Sequence, residues 1–279
     1  MNCKICQSQD VKFIFSKNGE DFYKCKHCSV IFQHPIDDLR INRYYEDEYF
    51  NKKNKFVDQF INWQTEDSSR RTLNVIKKYK SNGNLLDIGA AYGQFLKIAR
   101  DSGFDIVGIE PNKEAVKIAK EKFNIDLENI FFDKDYRNSQ GFDVITNFHV
   151  IEHVFNPLEF VRDIHKNLKD GGIAVFETPN IQSLNYFIMG SKCPYILPNE
   201  HLFCFSFKNL IPLLENNGFE VIYKKRTGIF LHSRPRGLTN MIYAKQPTLI
   251  LRLLNVLKNF LSEKIGLGDH LFIVTKKIK

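Results

Sequence analysis

Apolar runs alternate with helical patterns along much of the chain, most clearly in residues 84–111. There an apolar run ends in an acid and a small-residue turn, a helical pattern follows, and a second apolar run ends at Glu110. Leu85, Leu86 and Ile88 suit a strand that is buried on both faces. The pattern therefore predicts a strand, a tight turn, a helix and a second strand.

The same alternation continues toward the C-terminus. Further helices are predicted at 113–123, 156–169 and about 206–217, and further strands at 130–132, 142–148, 173–177, 219–226 and 271–276. Strands that alternate with helices imply a parallel sheet with right-handed crossovers. The predicted fold class is α/β, with a seven-stranded, doubly wound, Rossmann-like sheet in residues 81–279.

Two segments interrupt this regularity. Residues 178–204 contain three prolines and have no clear period, and residues 229–268 include an amphipathic stretch at 248–264. Each is predicted to follow the carboxyl end of a strand, where open parallel sheets bind ligands. We therefore expect both insertions to overhang a ligand site, and the amphipathic stretch to pack on the core or form a homodimer contact.

Four of the six cysteines form two close pairs near the N-terminus. Cys3 and Cys6 are separated by 18 residues from Cys25 and Cys28. This spacing is typical of a zinc ribbon, in which four thiolates complete a tetrahedral shell and leave no open position for catalysis. Residues 1–37 are therefore predicted to form a ribbon with structural Zn²⁺, because so short a segment buries little core of its own.

Residues 38–80 are polar, aromatic-rich and helical in pattern. Aromatic side chains at helical spacing usually pack on a domain, so this segment is predicted to be an arm held against the core. The alternative is that one of its tyrosines, such as Tyr44, Tyr45 or Tyr49, lines the substrate pocket.

Composition narrows the class of protein. With 279 residues and 43% hydrophobic residues the chain can build a core, and no apolar run is long enough for a membrane span. The N-terminus lacks the apolar core of a secretory signal, so a cytoplasmic location is expected. The net charge of +8 suits nucleic acid, an anionic small substrate or an acidic membrane surface, and does not choose among them.

The unit at 84–111 is typical of a nucleotide-like ligand site. Glycines near 89 let the backbone turn closely, and Glu110, 21 residues after Gly89, is placed to accept hydrogen bonds from a ribose diol. A dinucleotide site requires Gly-x-Gly-x-x-Gly, and the third glycine would fall on Gln94. The motif therefore argues against NAD.

Five motifs taken in order, LLDIGAAYG, GIEP, FDVITNFHVIEHV, the DGG turn and EHLFCFS, resemble those of class I S-adenosylmethionine-dependent methyltransferases. With the N-terminal ribbon, the arrangement is similar to bacterial sugar methyltransferases of antibiotic and surface-polysaccharide pathways. The resemblance implies S-adenosylmethionine as cofactor. By this resemblance the methionine part of the cofactor is bound by Asp87, Gly89, Ala91 and Gly93. The ribose hydroxyls are assigned to Glu110 and the adenine to Asp133.

Methyl transfer to a hydroxyl needs a base near the reacting atoms. His149 is predicted at the carboxyl end of the fourth strand. Quinone-type relatives carry Glu-x-x-Glu-His there and are understood to bind Mg²⁺ with it, so Mg²⁺ at His149, Glu152 and His153 is an open alternative. Glu200 and His201 resemble the general-base pair of ribbon-containing sugar methyltransferases, and the alternative is that His201 orders the following helix.

Basic residues are concentrated where the second insertion begins. Lys224, Lys225 and Arg226 lie at its root, with Arg234 and Arg236 beyond. They suit a nucleotide-linked sugar or another phosphorylated acceptor, although a solvated charge run is the plainer interpretation. The predicted function is O-methylation of a sugar-related or phosphorylated precursor of a surface polysaccharide. The alternatives are RNA methylation, for which the ribbon's few basic residues give little support, and a non-catalytic assembly protein.

Overall fold

A computed structural model describes residues 1–43, 45, 66–228 and 266–278. The predicted insertion at 229–268, with its amphipathic stretch and the arginines at 234 and 236, lies almost wholly outside these described residues. Most of the predicted aromatic arm also lies outside them.

The described secondary structure follows the predicted alternation closely. The strands are β1 Val11–Lys17, β2 Glu20–Cys25, β3 Ile31–Gln33, β4 Gly83–Ile88, β5 Phe104–Ile109, β6 Phe142–Phe148, β7 Leu168–Pro179, β8 Phe203–Cys204, β9 Phe219–Thr227 and β10 His270–Lys277. The helices are α1 Asp38–Arg43, α2 Glu66–Ile76, α3 Gln94–Asp101, α4 Lys113–Phe123, α5 Pro157–Asn167, α6 Leu184–Met189 and α7 Phe207–Glu215.

The larger sheet has six strands among the described residues, in the order β5-β4-β6-β7-β10-β9. Strands β5, β4, β6 and β7 are parallel, and β10 is antiparallel to both β7 and β9. Strand β4 is buried on both faces, as its apolar run predicts, since Leu86 and Ile88 belong to one core cluster and Leu85 to the other. The carboxyl ends of β4, β5 and β6 therefore meet at one edge.

The strand predicted at 130–132 is wrong, so the described residues form six strands of this sheet and not the predicted seven. At that edge of the sheet Glu128 makes a single parallel bridge with Ile109. The ring of Phe132 packs instead against Tyr136, with 5.4 Å between ring centroids. This apolar run therefore serves side-chain packing and not strand pairing.

The boundary between α5 and β7 also differs from the prediction. The helix ends at Asn167, two residues early, and β7 begins at Leu168 and not at 173. Gly171, which belongs to the predicted DGG turn, lies inside the strand with a φ of +68°. The register with β6 shifts between Phe142 and Val144, so the glycines accommodate an irregularity in the ladder.

A second sheet has four strands in the order β1-β2-β3-β8, of which the first three are formed by the N-terminal residues. We call residues 1–37 the cysteine module. Its fourth strand, β8, belongs to the predicted insertion at 178–204 and pairs antiparallel with β3. The insertion, which has no sequence period, is thus tied to the module by backbone pairing. In the described part of the chain, no helix has the length and apolar character needed to cross a membrane.

Candidate active site

The turn after β4 is held by backbone hydrogen bonds to the end of β5. The amides of Gly89 and Ala90 both donate to the carbonyl of Ile109, at 2.9 and 3.0 Å. Gly89 has a φ of +71°, and a Cβ added to it would lie 2.6 Å from Cγ2 of Val150. Only glycine fits here, because this loop lies in direct contact with the segment after β6.

Ala91 adopts a left-handed conformation that favours glycine, with a φ of +49°. A left-handed alanine costs roughly 1 to 2 kcal/mol. Its amide donates to Oε2 of Glu110 at 3.0 Å. The strained turn therefore directs the backbone N–H of Ala91 toward the carboxylate of Glu110, which directly follows β5.

Two buried carboxylates face this turn. Glu110 also accepts a hydrogen bond from the amide of Asn112 at 2.9 Å, and Asp87 accepts one from the hydroxyl of Thr146 at 2.6 Å. Burial raises the pKa of Glu110 to about 7 against the opposing effect of its two amide donors, and burial likewise raises the pKa of Asp87 to about 7. Carboxylate oxygens accept more than one hydrogen bond each, so both groups can still bind ligand hydroxyl or amine groups.

The predicted cofactor residues lie mostly together. Asp87, Gly89, Ala91, Glu110 and Asp133 line one open cleft at the carboxyl edge of the sheet. Asp133 is exposed on the cleft wall, where its carboxylate accepts from the amide of Asp135 at 2.9 Å.

The remaining predicted residue, Gly93, does not line the cleft. It caps the N-terminus of α3 with a φ of +74°, and a Cβ there would lie 3.3 Å from Cβ of Ala119. The structure therefore gives Gly93 a role in shaping the turn.

Histidines and carboxylates surround the other end of the same cleft. Five of the side chains lining this end belong to His149, His153, Glu177, His201 and His270, and Glu152 is buried beside them. His149 follows β6 with a φ of +57°, and its amide donates to the carbonyl of Glu177 at 2.8 Å.

His149 is paired with Glu152. Its Nδ1 lies 3.2 Å from Oε1 of Glu152, and the hydroxyl of Thr178 donates to Oε2 at 2.9 Å. Burial raises the pKa of Glu152, but the hydrogen bond with His149 and the charges of the surrounding histidines together outweigh burial, and the pKa falls to about 2. Because this ionised carboxylate only accepts, Nδ1 of neutral His149 carries the proton and Nε2 is the basic nitrogen.

The four imidazoles differ in basicity. Burial alone would lower the pKa of His149, yet the hydrogen bond that His149 donates to Glu152 and the charges of Glu152 and Glu177 raise it above its ordinary 6.5. Burial lowers the pKa of His153 and of His270 to about 3, and it also lowers the pKa of His201. His149 is therefore the strongest base of the group.

His201 is oriented by a backbone carbonyl. Its Nδ1 donates to the carbonyl of Tyr195 at 2.7 Å, which leaves Nε2 as the acceptor nitrogen. Glu200 is the other member of the predicted general-base pair, but the Nδ1 bond of His201 goes to Tyr195 and not to the carboxylate of Glu200. The backbone carbonyl of Glu200 instead accepts from Nδ1 of His153 at 2.7 Å.

Two residues of this cluster, Glu177 and His270, were not identified from the sequence. Glu177 ends β7 and His270 begins the antiparallel β10, so only the strand order brings His270 within 3.8 Å of Glu177. Tyr45 lines the cleft with its hydroxyl 2.6 Å from Nδ1 of His153, in agreement with the alternative interpretation of the aromatic arm. Nothing in its local sequence distinguishes it from its neighbouring tyrosines.

The four cysteines of the module are brought together by its hairpin. Sγ of Cys3 lies 3.6 Å from Sγ of Cys28, and Sγ of Cys6 lies 3.5 Å from Sγ of Cys25. All four sulfur atoms lie within 4.8 Å of one another. A tetrahedral zinc site with Zn–S bonds of about 2.3 Å has sulfur–sulfur edges of about 3.8 Å, so the geometry fits Zn²⁺.

Comparisons with known proteins agree on one kind of domain. A family model described as a methyltransferase domain matches residues 60–224. A ubiquinone biosynthesis O-methyltransferase of Pelagibacter ubique is 31% identical over 139 residues, which cover 44% of this chain and 57% of the relative. The chain spans about half the length of the first curated relatives it matches, 43% and 57%.

Solved structures share the fold at low identity. An S-adenosylmethionine-dependent methyltransferase of Archaeoglobus fulgidus matches with a TM-score of 0.54 and 22% identity over 83% of this chain and 100% of its own. Magnesium protoporphyrin IX methyltransferase of Synechocystis PCC 6803, solved with bound S-adenosylhomocysteine, matches with a TM-score of 0.58 and 10% identity. The match covers 86% of this chain and 100% of that structure's chain. These similarities concern the fold alone.

Proposed function

Because the chain belongs to the methyltransferase-domain family, we propose that it is an S-adenosylmethionine-dependent methyltransferase that methylates a hydroxyl oxygen. The proposed acceptor is a sugar-related or phosphorylated small molecule, a precursor of a surface polysaccharide. The observation that carries the proposal is the His149–Glu152 pair, which faces the same cleft as Glu110. Relatives named as O-methyltransferases support oxygen as the methylated atom.

The cofactor end of the cleft fits S-adenosylmethionine, which supplies the methyl group when it is bound. We assign the ribose hydroxyls to Glu110, whose two oxygens are already fixed by the amides of Ala91 and Asn112. Asp87, held by Thr146, is assigned to the cationic amino-acid part. Gly89, whose position beside Val150 leaves no room for a side chain, is assigned to the methionine part of the cofactor with Ala91.

Proton removal at the acceptor is assigned to His149. Transfer of the methyl group would break its bond to the cofactor sulfur and leave S-adenosylhomocysteine, while Nε2 of His149 would take the hydroxyl proton of the acceptor and Glu152 would stabilise the resulting imidazolium. Thr178 holds Glu152 in place through its second oxygen. His201, with its Nδ1 proton fixed on Tyr195, is assigned to accept a hydrogen bond from the acceptor through Nε2.

An anionic acceptor is supported by a basic residue on the cleft wall. Lys225, in β9, lines the cleft, and its ammonium lies 5.6 Å from the centre of the Phe272 ring. Its charge acts on Glu177, which also lines the cleft. A lysine in this position suits a phosphate or carboxylate group of the acceptor.

We further propose that the cysteine module binds one structural Zn²⁺ through Cys3, Cys6, Cys25 and Cys28. Support comes from the spacing of the two pairs and from the sulfur–sulfur distances near the edges of a tetrahedron. Four thiolates would fill the shell, so the ion would take no part in methyl transfer.

The test is a measurement of S-adenosylhomocysteine formation with purified full-length protein. The acceptor panel contains nucleotide-linked sugars, sugar phosphates, the matching uncharged sugars and a structured RNA. We expect turnover with a phosphorylated small molecule and much less with its uncharged counterpart. Turnover only with RNA, with the steep salt dependence of backbone binding, would replace this proposal by RNA methylation.

A further inference from the structure

The cysteine module contacts the active-site cluster through a buried amide pair. Gln33, at the end of β3, is 1% exposed. Its Nε2 donates to Oδ1 of Asn199 at 3.0 Å, and its Oε1 accepts from the amide of Asn199 at 2.8 Å. One side chain of the module therefore fixes both the backbone and the side chain of a residue two positions before His201.

A carboxylate completes this contact. Glu20, in β2, accepts from Nδ2 of Asn199 at 3.1 Å through one oxygen and from Nε2 of Gln33 at 3.2 Å through the other. Asn199 has a φ of +64°, a left-handed conformation that asparagine adopts more readily than most residues with a side chain. The three polar groups form a closed ring of hydrogen bonds that holds this conformation.

The start of the same loop is held by a lysine of β1. The ammonium of Lys17 donates to the carbonyls of Cys193 and Ile196, at 3.0 and 2.7 Å. These carbonyls flank Tyr195, whose own carbonyl accepts the Nδ1 proton of His201. The position of that carbonyl, and with it the tautomer of His201, depends on a contact with the module.

The end of the loop is paired to β3. The amide of Gln33 donates to the carbonyl of Leu202 at 2.9 Å, and Phe32 and Phe203 are partners in the β3–β8 ladder. Residues 193–204, which carry Glu200 and His201 on the cleft wall, are therefore fixed by the module at the start, middle and end.

We propose that Gln33 is a positioning residue for the acceptor end of the active site, which makes the cysteine module part of the machinery that places His201. A buried amide with this many fixed partners specifies one geometry, whereas an apolar side chain in the same place would only fill space. The proposal deepens the function proposed above and rests on it for the role of His201. The cofactor end, formed by residues 87–110, makes none of these contacts.

The test compares Gln33→Leu with Lys24→Ala in the full-length protein. Lys24 is an exposed residue of β2 in the same module, so its loss controls for general effects of changing the module. Amide hydrogen exchange is followed in peptides covering 193–204 and 83–110. In parallel, S-adenosylhomocysteine affinity is measured by calorimetry, and the acceptor KM and kcat by product formation.

For Gln33→Leu we expect exchange in 193–204 to become about tenfold faster or more, with 83–110 unchanged. We also expect kcat/KM for the acceptor to fall about tenfold or more with unchanged S-adenosylhomocysteine affinity, since small misplacements of positioned groups cost that much. Asn199→Gly, which keeps the amide donor to Gln33 and relieves the left-handed backbone, should give a smaller change in both.

Unchanged exchange in 193–204, or equally faster exchange in both segments, would overturn the positioning role. So would an acceptor kcat/KM that remains at the wild-type value while the loop loosens. A wild-type enzyme without activity on hydroxyl acceptors would count against the proposed function. The exchange rates in 193–204 need no acceptor, so they would still show whether Gln33 positions this loop.

Discussion

Nδ1 of His149 lies 3.2 Å from Oε1 of Glu152, three residues along the chain, at the point where β6 opens into the cleft. The carboxylate is 1% exposed and is fixed by Thr178, so it orients the ring as well as raising the pKa of His149. A base with a pKa near the working pH combines availability with strength in proton transfer. The pair is the basis for assigning proton removal to His149.

Glu152→Gln should move the acidic limb of the pH–rate profile. Neutral His149 is the active form, so activity falls as pH drops through its pKa, which the wild-type carboxylate holds above the ordinary 6.5. Removing that charge lowers the imidazole pKa, and the limb should shift to lower pH while the plateau rate falls by about tenfold or more through lost orientation. The measurement is kcat/KM for the acceptor across the pH range.

Two variants control this profile. Glu159→Gln changes an exposed carboxylate on the wall of the same cleft and should leave the limb in place. His201→Ala should lower kcat/KM but leave the acidic limb of the pH–rate profile, which reports the pKa of His149, at the same pH. If the limb lay below the ordinary imidazole range and disappeared in His201→Ala, the base would be His201, whose pKa burial lowers.

Glu110→Ala should weaken binding of S-adenosylhomocysteine at least about tenfold, because hydrogen bonds to a charged group contribute about 1.5 to 3 kcal/mol. The substitution also leaves the amides of Ala91 and Asn112 without their acceptor. Calorimetry on the purified variant measures the change. Glu121→Ala, on the exposed side of α4, is the control, and equal affinities in the two variants would remove Glu110 from the site.

Ala91→Gly should raise the free energy of unfolding by up to about 1 kcal/mol, since glycine adopts a φ of +49° without strain. Gly89→Ala in the same turn should do the opposite, because its new methyl group would meet Val150 at 2.6 Å. Thermal unfolding compares both with the wild type. A fall in melting temperature for Ala91→Gly would show that the alanine conformation is not strained.

Removal of the proposed zinc should act on the module and on the acceptor end together. We expect about one zinc per chain by elemental mass spectrometry, from the closed four-cysteine site. Cys25→Ser should lose the metal and most turnover but keep S-adenosylhomocysteine affinity, because the hydrogen bonds described between the module and the site go to residues 193–204 and not to the cofactor end. Cys193→Ser changes a cysteine outside the cluster and should keep the metal. A wild-type protein with far less than one zinc per chain contradicts the assignment.

The sequence predicted best what depends on neighbours along the chain. The strand at Leu85, the turn at Gly89 and the acid at Glu110 form one local unit, and its motif carries the cofactor class. The failed strand at 130–132 shows the limit of this reasoning, since an apolar run of that length suits either a strand or a packed loop. Its aromatic ring packs on Tyr136, a contact that no periodicity predicts.

The acceptor end was predicted less completely because it is assembled from distant segments. His270 reaches the site through an antiparallel strand at the end of the chain, and Gln33 reaches Asn199 across 166 positions. The sequence drew attention to His149, Glu152 and His201, but it named Glu152 only as an alternative Mg²⁺ ligand and not as the partner that sets the tautomer of His149. It did not indicate the carbonyl of Tyr195, which sets the tautomer of His201.

The central claim, methyl transfer to a hydroxyl with His149 as base, is tested most directly with S-adenosylmethionine carrying a ¹³C-labelled methyl group. The wild type and His149→Ala are incubated with a phosphorylated hydroxyl acceptor, and the labelled product is identified by NMR. We predict that the wild type gives a methyl ether, and that His149→Ala binds S-adenosylhomocysteine normally but forms product about 10² to 10⁴ times more slowly. Label on nitrogen or carbon, or an undiminished rate in His149→Ala, would contradict the account.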